Sequence, residues 1–462
     1  MSTTDQSAAP PLRPGGSAEH SALNSTLLKA AFVGALGGLL FGFDTAVIAG
    51  TEPSLITFYH LTAWSTGFTV SIALIGTVIG AMTSGVIGQK FGSREVLRIL
   101  ALLYLASALG CAFAPTWTVL LAARFIGGLG IGGSSVLGPV YIAEISPAKW
   151  RGRLVGLFQI NIVAGILMAY LSNYLIARAI TSTSDWRWMF GVAAIPAALF
   201  LIFLFGIPQS PRWLATQDRA EEARSVLQSI GSPNPDDELR EIVASIHLDR
   251  STASEPLFSR KYAFPIFIAV TMGMFNQLAG INAILYYLTP IFTYAGFTTM
   301  SAELQSVAVG GMNFVATFLG MALIDKLGRK TLLLIGSAGM VGCLSGVAYV
   351  FLTNSHQSSL LWLLLVYIAF FSISQGAVIW VYIGEVFPNR VRAKGQSLGS
   401  SAHWITNAII SFAFPKLAAF SHGYPFVFFA AMTLVQFFIV LFIYPETKGI
   451  SLEEMQHKLG IE

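Results

Sequence analysis

Tyr141-Ile142-Ala143-Glu144, followed by Pro147 and Arg151, returns later in the chain as Tyr382-Ile383-Gly384-Glu385, Pro388 and Arg392 with identical internal spacing. Each copy closes one long apolar segment and precedes another. A second pair keeps nearly the same offset: Lys90, Gly92 and Arg94 against Lys326, Gly328 and Lys330. Self-similarity at a fixed offset marks a duplicated structural unit. Because both copies lie between apolar segments, the duplicated unit reads as a bundle of membrane helices, an arrangement used by many secondary transporters.

Composition supports that reading. Of 462 residues, 54% are hydrophobic and 11% charged, against about 25% charged in ordinary globular domains. Apolar stretches near 20 residues recur, long enough to cross a hydrocarbon core of about 30 Å. They are predicted near 28–50, 66–88, 96–114, 117–142, 155–177 and 189–207, then near 263–293, 302–324, 331–353, 359–384, 396–418 and 424–444. The expected fold is therefore an all-α membrane protein with about twelve spans in two pseudo-symmetric six-helix halves. Its parts are a cytoplasmic N-terminus (1–24), a first bundle (25–207), a loop (208–261), a second bundle (262–445) and a cytoplasmic tail (446–462). Gly34, Gly38 and Gly42, and Gly76, Gly80, Ser84 and Gly88, repeat every four residues. Such ridges let helix backbones approach where no hydrophobic effect drives association.

Charge placement sets the orientation. The loops after even-numbered spans carry Lys90, Arg94, Lys149, Arg151, Arg153, Arg212, Lys326, Arg329, Lys330, Arg390, Arg392 and Lys394, whereas the opposite loops hold Arg178, Arg187 and Lys416. By the positive-inside rule both termini and the central loop are cytoplasmic in a cell membrane. The formal net charge of +4 then reflects topology and does not point to nucleic acid. Residues 1–24, rich in Ser, Ala, Pro and Gly, are expected to be disordered and lack the pattern of a signal peptide. Cys111 and Cys343 both fall inside spans, which argues against a disulfide framework. Between Arg212 and Lys261 the chain turns polar, and 218–222 and 236–240 read as short amphipathic helices docking under the bundle. No phosphate-cradling loop, metal-spaced His/Cys set or nucleophile motif appears, so neither an enzyme nor a metal site is expected.

Five further motifs carry a family resemblance: Gly37-Gly38-Leu39-Leu40-Phe41-Gly42-Phe43-Asp44, Arg124-Phe125-Ile126-Gly127-Gly128, Pro208-Gln209-Ser210-Pro211-Arg212, Gln277-Leu278-Ala279-Gly280-Ile281-Asn282 and Pro445-Glu446-Thr447-Lys448-Gly449. Together, in this order and placement, they resemble the sugar porter family of the major facilitator superfamily over nearly the whole chain beyond residue 28. The chain is similar to bacterial proton-coupled sugar symporters and to facilitative glucose carriers. The resemblance implies a monomeric carrier of a sugar and protons, set in a lipid bilayer, with no cofactor and the proton gradient as energy source.

Asp44 is the sharpest single residue. A carboxylate within an apolar span costs several kcal/mol unless it is neutralised, paired or facing water. Arg124 is its expected partner, because no other basic residue lies deep in the first six spans. The pair reads either as a permanent ionic tie between spans or as a proton-coupling site. The resemblance favours coupling, since uniporters similar to these tend to have Asn in place of the acid.

Amides suit a polyhydroxy ligand, each offering donors and an acceptor with no charge to bury. Gln159 lies in the fifth span, and Asn276, Gln277 and Asn282 straddle Gly280 in the seventh. On an unbroken helix Gln277 and Asn282 would point about 140° apart. A break near Gly280 would bring both to one cavity. Asn313 falls in the eighth span and Trp380 in the tenth; His403 and Asn407 share a face of the eleventh beside Trp404. The resemblance implies that Gln159, Gln277, Asn282, Asn313, Trp380 and Trp404 contact sugar, that Phe41 lines the cavity, and that Tyr286 and Tyr287 form an outer gate.

Three positions depart from the family pattern. Asn276 replaces a second Gln. Ala377 replaces Pro after Gly376, so the turn at Gly376 is expected to bend less. His403 stands where Gln or Asn is usual. The leading substrate is a hexose or pentose, with a polyol such as an inositol close behind; a facilitative uniporter or a non-transporting sensor are the rival functions. At the cytoplasmic side, Arg94, Glu144, Arg151, Asp325, Arg329, Glu385 and Arg392 are expected to form a gate network. Its first-half part is expected to be weaker, because Gln89 and Ser93 replace the usual charged residues.

Overall fold

The computed structural model describes residues 23–180, 182–251, 255–388, 390–450 and 452–461, and among them there are helices and no strand. The first half comprises α1 (Ser25–Tyr59), α2 (Ala63–Phe91), α3 (Ser93–Ala112), α4 (Trp117–Ile145), α5 (Ala148–Ala179) and a broken sixth span, α6 (Asp185–Gly191) and α7 (Ala194–Phe203). Three short helices follow in the central loop: α8 (Pro211–Thr216), α9 (Ala220–Ser229) and α10 (Pro235–Ser251). The predicted span 263–293 is divided into α11 (Ala263–Leu278), α12 (Ile281–Tyr286) and α13 (Leu288–Tyr294). Then come α14 (Thr299–Leu327), α15 (Arg329–Thr353), α16 (Leu360–Ile373), α17 (Gln375–Glu385), α18 (Arg392–Phe420), α19 (Tyr424–Phe442) and the tail helix α20 (Leu452–Lys458).

Eleven helical segments of the described residues are long and apolar enough to cross a membrane. α18 is as long as α2 but carries the polar run from Gln396 to Asn407, and it packs into the bundle as the twelfth. Local chemistry sets the ends. Asn24 caps α1 by accepting from the Leu27 N–H at 2.8 Å, so this residue already belongs to the fold, while residues 1–22 lie outside the described residues. Thr62 and Ser65 form a reciprocal capping box at the start of α2. The duplicated loops turn alike: Gly92 and Gly328 end α2 and α14 at φ 86° and 91°, a region open to glycine.

The glycine ridges act as read. A Cβ at Gly42 would collide with the Ile162 carbonyl, and one at Gly165 with that of Leu39, so α1 and α5 pack backbone to backbone. Gly76, Gly80, Gly128 and Gly132 do the same for α2 and α4. The halves meet along α2 with α18 and α5 with α14.

Burial distinguishes the two ends of the molecule. At the end opposite the termini, one apolar core joins α1, α5 and α6 to α12, α13, α15, α16, α18 and α19. At the terminal end there are two separate cores, one per half. Loop residues Leu227 and Ile230 enter the first of these, and Leu257, Met455 and Leu459 enter the second. The halves are therefore fused at one face and parted at the other.

One expected bend is relocated. The tenth span breaks at Ser374, with φ −105° and ψ −89°, ahead of Gly376-Ala377. The Ser374 hydroxyl donates to the Phe370 carbonyl at 2.6 Å, diverting an acceptor in the last turn of α16. The span is thus broken even though Ala377 stands where a proline was expected.

Candidate functional site

α1 and α4 cross so that Arg124 meets Asp44. One guanidinium nitrogen, Nη1, lies 3.0 and 3.1 Å from the two carboxylate oxygens. Arg124 is 3% exposed while the Asp44 side chain retains 18%. The same guanidinium lies over the Phe190 ring at 5.6 Å, and its Nε has no hydrogen-bond partner. Asp44 opens onto a small pocket shared with Phe41, Thr45, Thr77, Tyr286 and Trp404. The carboxylate, rather than the cation, is thus the member of the pair nearer to open space.

The seventh span breaks where expected. Gly280 has φ 88° and ψ 6°, and a Cβ there would strike the Phe429 ring. Gln277 lies in the last turn of the first segment, and Asn282 in the first turn of the second. The Gln277 amide nitrogen lies 3.2 Å from Asn276 Oδ1 and 3.1 and 3.3 Å from the two ring nitrogens of His403. Around that contact the aromatic rings form a chain. Trp380 and Trp404 approach His403 at 5.2 and 5.0 Å, and Phe41 of the first half meets Trp404 at 5.6 Å. Trp380 is 40% exposed and lines a larger cleft with Glu385, Arg392, Gln396 and Thr447. An aromatic and amide wall therefore runs from the parted end to the Asp44 pocket.

The other amides are placed differently. Asn407 donates to the Tyr286 hydroxyl at 3.0 Å, and Asn313 accepts from Ser372 at 2.8 Å, so each also ties helices together. Gln159 and Asn282 are half-buried. Gly376 is half-buried at the start of α17.

At the fused face, Tyr286 and Tyr287 are fully enclosed. The Tyr287 hydroxyl donates to the Ser411 carbonyl at 2.9 Å, and Tyr170 of the first half donates to the Leu285 carbonyl at 2.7 Å. At the parted face the candidate gate residues make their described pairings within their own halves. Arg329 pairs with Glu385 at 2.9 Å and with Asp325 at 3.0 Å, and Thr447 donates to Glu385 at 2.6 Å. The first-half counterpart is different: Arg94 turns to Glu95 at 2.6 Å and to the Ile207 carbonyl at 3.1 Å. Glu144 sits near Ser93, Ser210 and Arg212 with Oε2 unpartnered. Arg151 donates to the Ser146 carbonyl, and Arg392 to that of Phe387, both at 3.4 Å. No described ion pair joins the two halves at this face.

Three acidic residues escaped the sequence reading. Glu52 in α1 and Glu303 in α14 are 3% and 1% exposed at the fused face. Their signal was available, since each is an acid within a long apolar helix. Glu446 accepts from the backbone N–H groups of Arg329, Lys330, Thr447 and Lys448 at 2.9 to 3.0 Å, clasping the start of α15. The sequence placed it in a motif without giving it this task.

Comparison with known proteins agrees with this architecture. A family model described as "Sugar (and other) transporter" matches residues 30–459. The probable metabolite transport protein CsbC of Bacillus subtilis is 37% identical over 434 residues, covering 93% of each chain. The D-xylose-proton symporter of Escherichia coli is 36% identical over 471 residues, covering 94% of this chain and 96% of the relative. The structure titled "Inward open conformation of the xylose transporter XylE from E. coli" superposes with a TM-score of 0.84 at 34% identity, covering 94% of this chain and 99% of that one. With the family model spanning both halves and relatives matched almost end to end, the chain belongs to the sugar (and other) transporter family.

Proposed function

We propose that this protein carries a monosaccharide, a pentose or hexose, together with protons across the cytoplasmic membrane by alternating access. Both termini and the central loop lie in the cytoplasm, so the parted face opens inward and the fused face closes the extracellular side. The observation that carries the reading is the Asp44–Arg124 pair beside the amide and aromatic wall. Trp380, Trp404 and Phe41 offer apolar faces to a sugar ring, while Asn276, Gln277, Asn282, His403 and the free amide nitrogen of Asn313 offer hydrogen bonds to its hydroxyls. Gln159 and Asn407 complete the polar lining, and Gly376 shapes the wall beside Trp380.

Coupling follows from Asp44 being the reachable member of its pair. A proton taken from outside weakens the bond to Arg124, and its release inside restores it. Tyr286 and Tyr287 act as the extracellular gate. Arg94, Glu144, Arg151, Asp325, Arg329, Glu385 and Arg392 hold the cytoplasmic side when the carrier faces outward and are separated between halves here. An acid at position 44 favours symport over facilitated diffusion. The test is uptake by reconstituted vesicles with an imposed acidic exterior, using labelled pentoses, hexoses and inositol. Concentrative uptake with alkalinisation of the outer medium supports symport; equilibration without proton movement leaves a uniporter.

A further inference from the structure

Glu52 and Glu303 stand apart from the Asp44 pocket. Glu52 lies about two helical turns before the end of α1 at Tyr59, and Glu303 lies near the start of α14, both at the fused face. Each is more than nine-tenths buried, and each has a carboxylate oxygen, Oε2, without a hydrogen-bond partner. The single polar contact recorded for Glu303 is a long one, from the Thr289 hydroxyl at 3.4 Å. Neither forms an ion pair among the described residues.

Among the described residues no cation pairs with either carboxylate. Tyr287, between α12 and α13, and Tyr294 of α13 lie within electrostatic reach of Glu52. Asp185 of α6 reaches α1 through Ser54 at 2.7 Å and also acts on Glu303, as does Tyr170 of α5. Arg187, two residues beyond Asp185 in α6, donates to the Ala112 carbonyl at 2.9 Å and lies over the Phe58 and Trp186 rings. A carboxylate buried without a partner is costly, and the protonated group is the form such a site accepts.

We infer that Glu52 and Glu303 are proton-binding sites of the extracellular gate, taking up protons when the gate closes over them and losing them to the outside when it opens. The inference rests on the alternating-access part of the reading above, and not on Asp44 being the coupling group. It has a distinct consequence. These protons enter and leave from the extracellular side, so they set the balance between outward-open and inward-open carrier without being cargo. An acidic exterior favours the closed gate, and an alkaline exterior favours the open one.

The test uses Ala283→Cys on α12 in a Cys111→Ala, Cys343→Ala background, reconstituted into vesicles and labelled from outside with an impermeant maleimide. Labelling at each pH is divided by that of the same carrier with Glu52→Gln and Glu303→Gln, which cancels the pH dependence of the thiol. The ratio is expected to rise from pH 5 to pH 8, by up to about tenfold per pH unit for each carboxyl that titrates. Sugar counterflow by the parent carrier and by each single Gln variant gives a second reading that also reports folding. Its dependence on external pH is expected to flatten in the variants, while the accumulation ratio in an imposed gradient is unchanged. A constant labelling ratio with an unaltered counterflow profile overturns the inference. So does a fall in accumulation ratio, which would make these protons cargo. Loss of concentrative uptake on Asp44 substitution alone bears on the proposed function and leaves this labelling result standing.

Discussion

Arg124 offers Asp44 a single nitrogen, Nη1, placed between both carboxylate oxygens at 3.0 and 3.1 Å. A bidentate fork would engage two nitrogens and be harder to part. Here Nε is left without a partner, and the carboxylate keeps more exposure than the cation. The geometry suits a contact that is made and broken during a cycle. Asp44→Asn keeps the size of the side chain and removes its ability to exchange a proton. The expected result is loss of uphill accumulation with sugar counterflow preserved within about threefold. Intact gradient-driven accumulation in this variant would remove Asp44 from the coupling step.

His403 is one of the three positions read as departing from the family pattern. Its ring accepts from the Gln277 amide and sits between Trp380 and Trp404. His403→Gln retains an acceptor for Gln277 and is expected to change sugar affinity by less than about fivefold. His403→Leu leaves a buried N–H unsatisfied, which costs about 1–3 kcal/mol. Sugar binding, read by counterflow half-saturation, is then expected to weaken by tenfold or more. Equal effects of the two substitutions would mean that His403 contributes shape alone.

Much of this fold was legible because apolar length and glycine spacing are one-dimensional signals. Twelve segments, the ridge contacts of Gly42 and Gly76, and the break at Gly280 all follow from short-range pattern. The Asp44–Arg124 pair was legible for a related reason, since buried charges in an apolar span have few possible partners. What was not legible depends on which half a side chain turns toward. Arg94 and Arg329 occupy matching turns, yet Arg329 reaches Glu385 while Arg94 folds onto Glu95. The break at Ser374 was hidden because its cause is a side-chain bond back to Phe370 rather than a glycine or proline. Glu52 and Glu303 carry no motif around them, so the sequence does not show that the fold leaves each without a cation among the described residues.

That asymmetry between halves has a measurable consequence. The Arg329–Glu385 pair is reinforced by Asp325 and Thr447, and Arg329 is 11% exposed. Hydrogen bonds to charged groups in such partly buried settings contribute about 1.5–3 kcal/mol. Glu385→Gln is therefore expected to lower the thermal unfolding midpoint of the detergent-solubilised carrier by several degrees. Glu144→Gln, at the position where no Arg94 pair forms, is expected to shift it by about one degree or less. Equal shifts would show that the first-half pair forms in solution.

Glu446 ties the C-terminal tail to the start of α15, and its titration gives a pH signature outside the membrane spans. Burial alone raises the affinity of its carboxyl for a proton, but the backbone N–H donors of Lys448, Arg329, Thr447 and Lys330 outweigh that and hold its pKa below the ordinary 4.5. A group depressed in the folded state stabilises the fold above its unfolded pKa and loses that contribution as pH falls through the folded one. Glu446→Gln keeps one acceptor oxygen but no charge, so it is expected to unfold at lower temperature than the unaltered carrier near pH 7. The gap between the two is expected to hold above the ordinary value of 4.5 and to close as pH falls through the lowered folded one, where the native carboxylate takes its proton. A gap that persists at the acid end would mean that Glu446 acts through packing of the tail rather than through its charge on the α15 N–H groups.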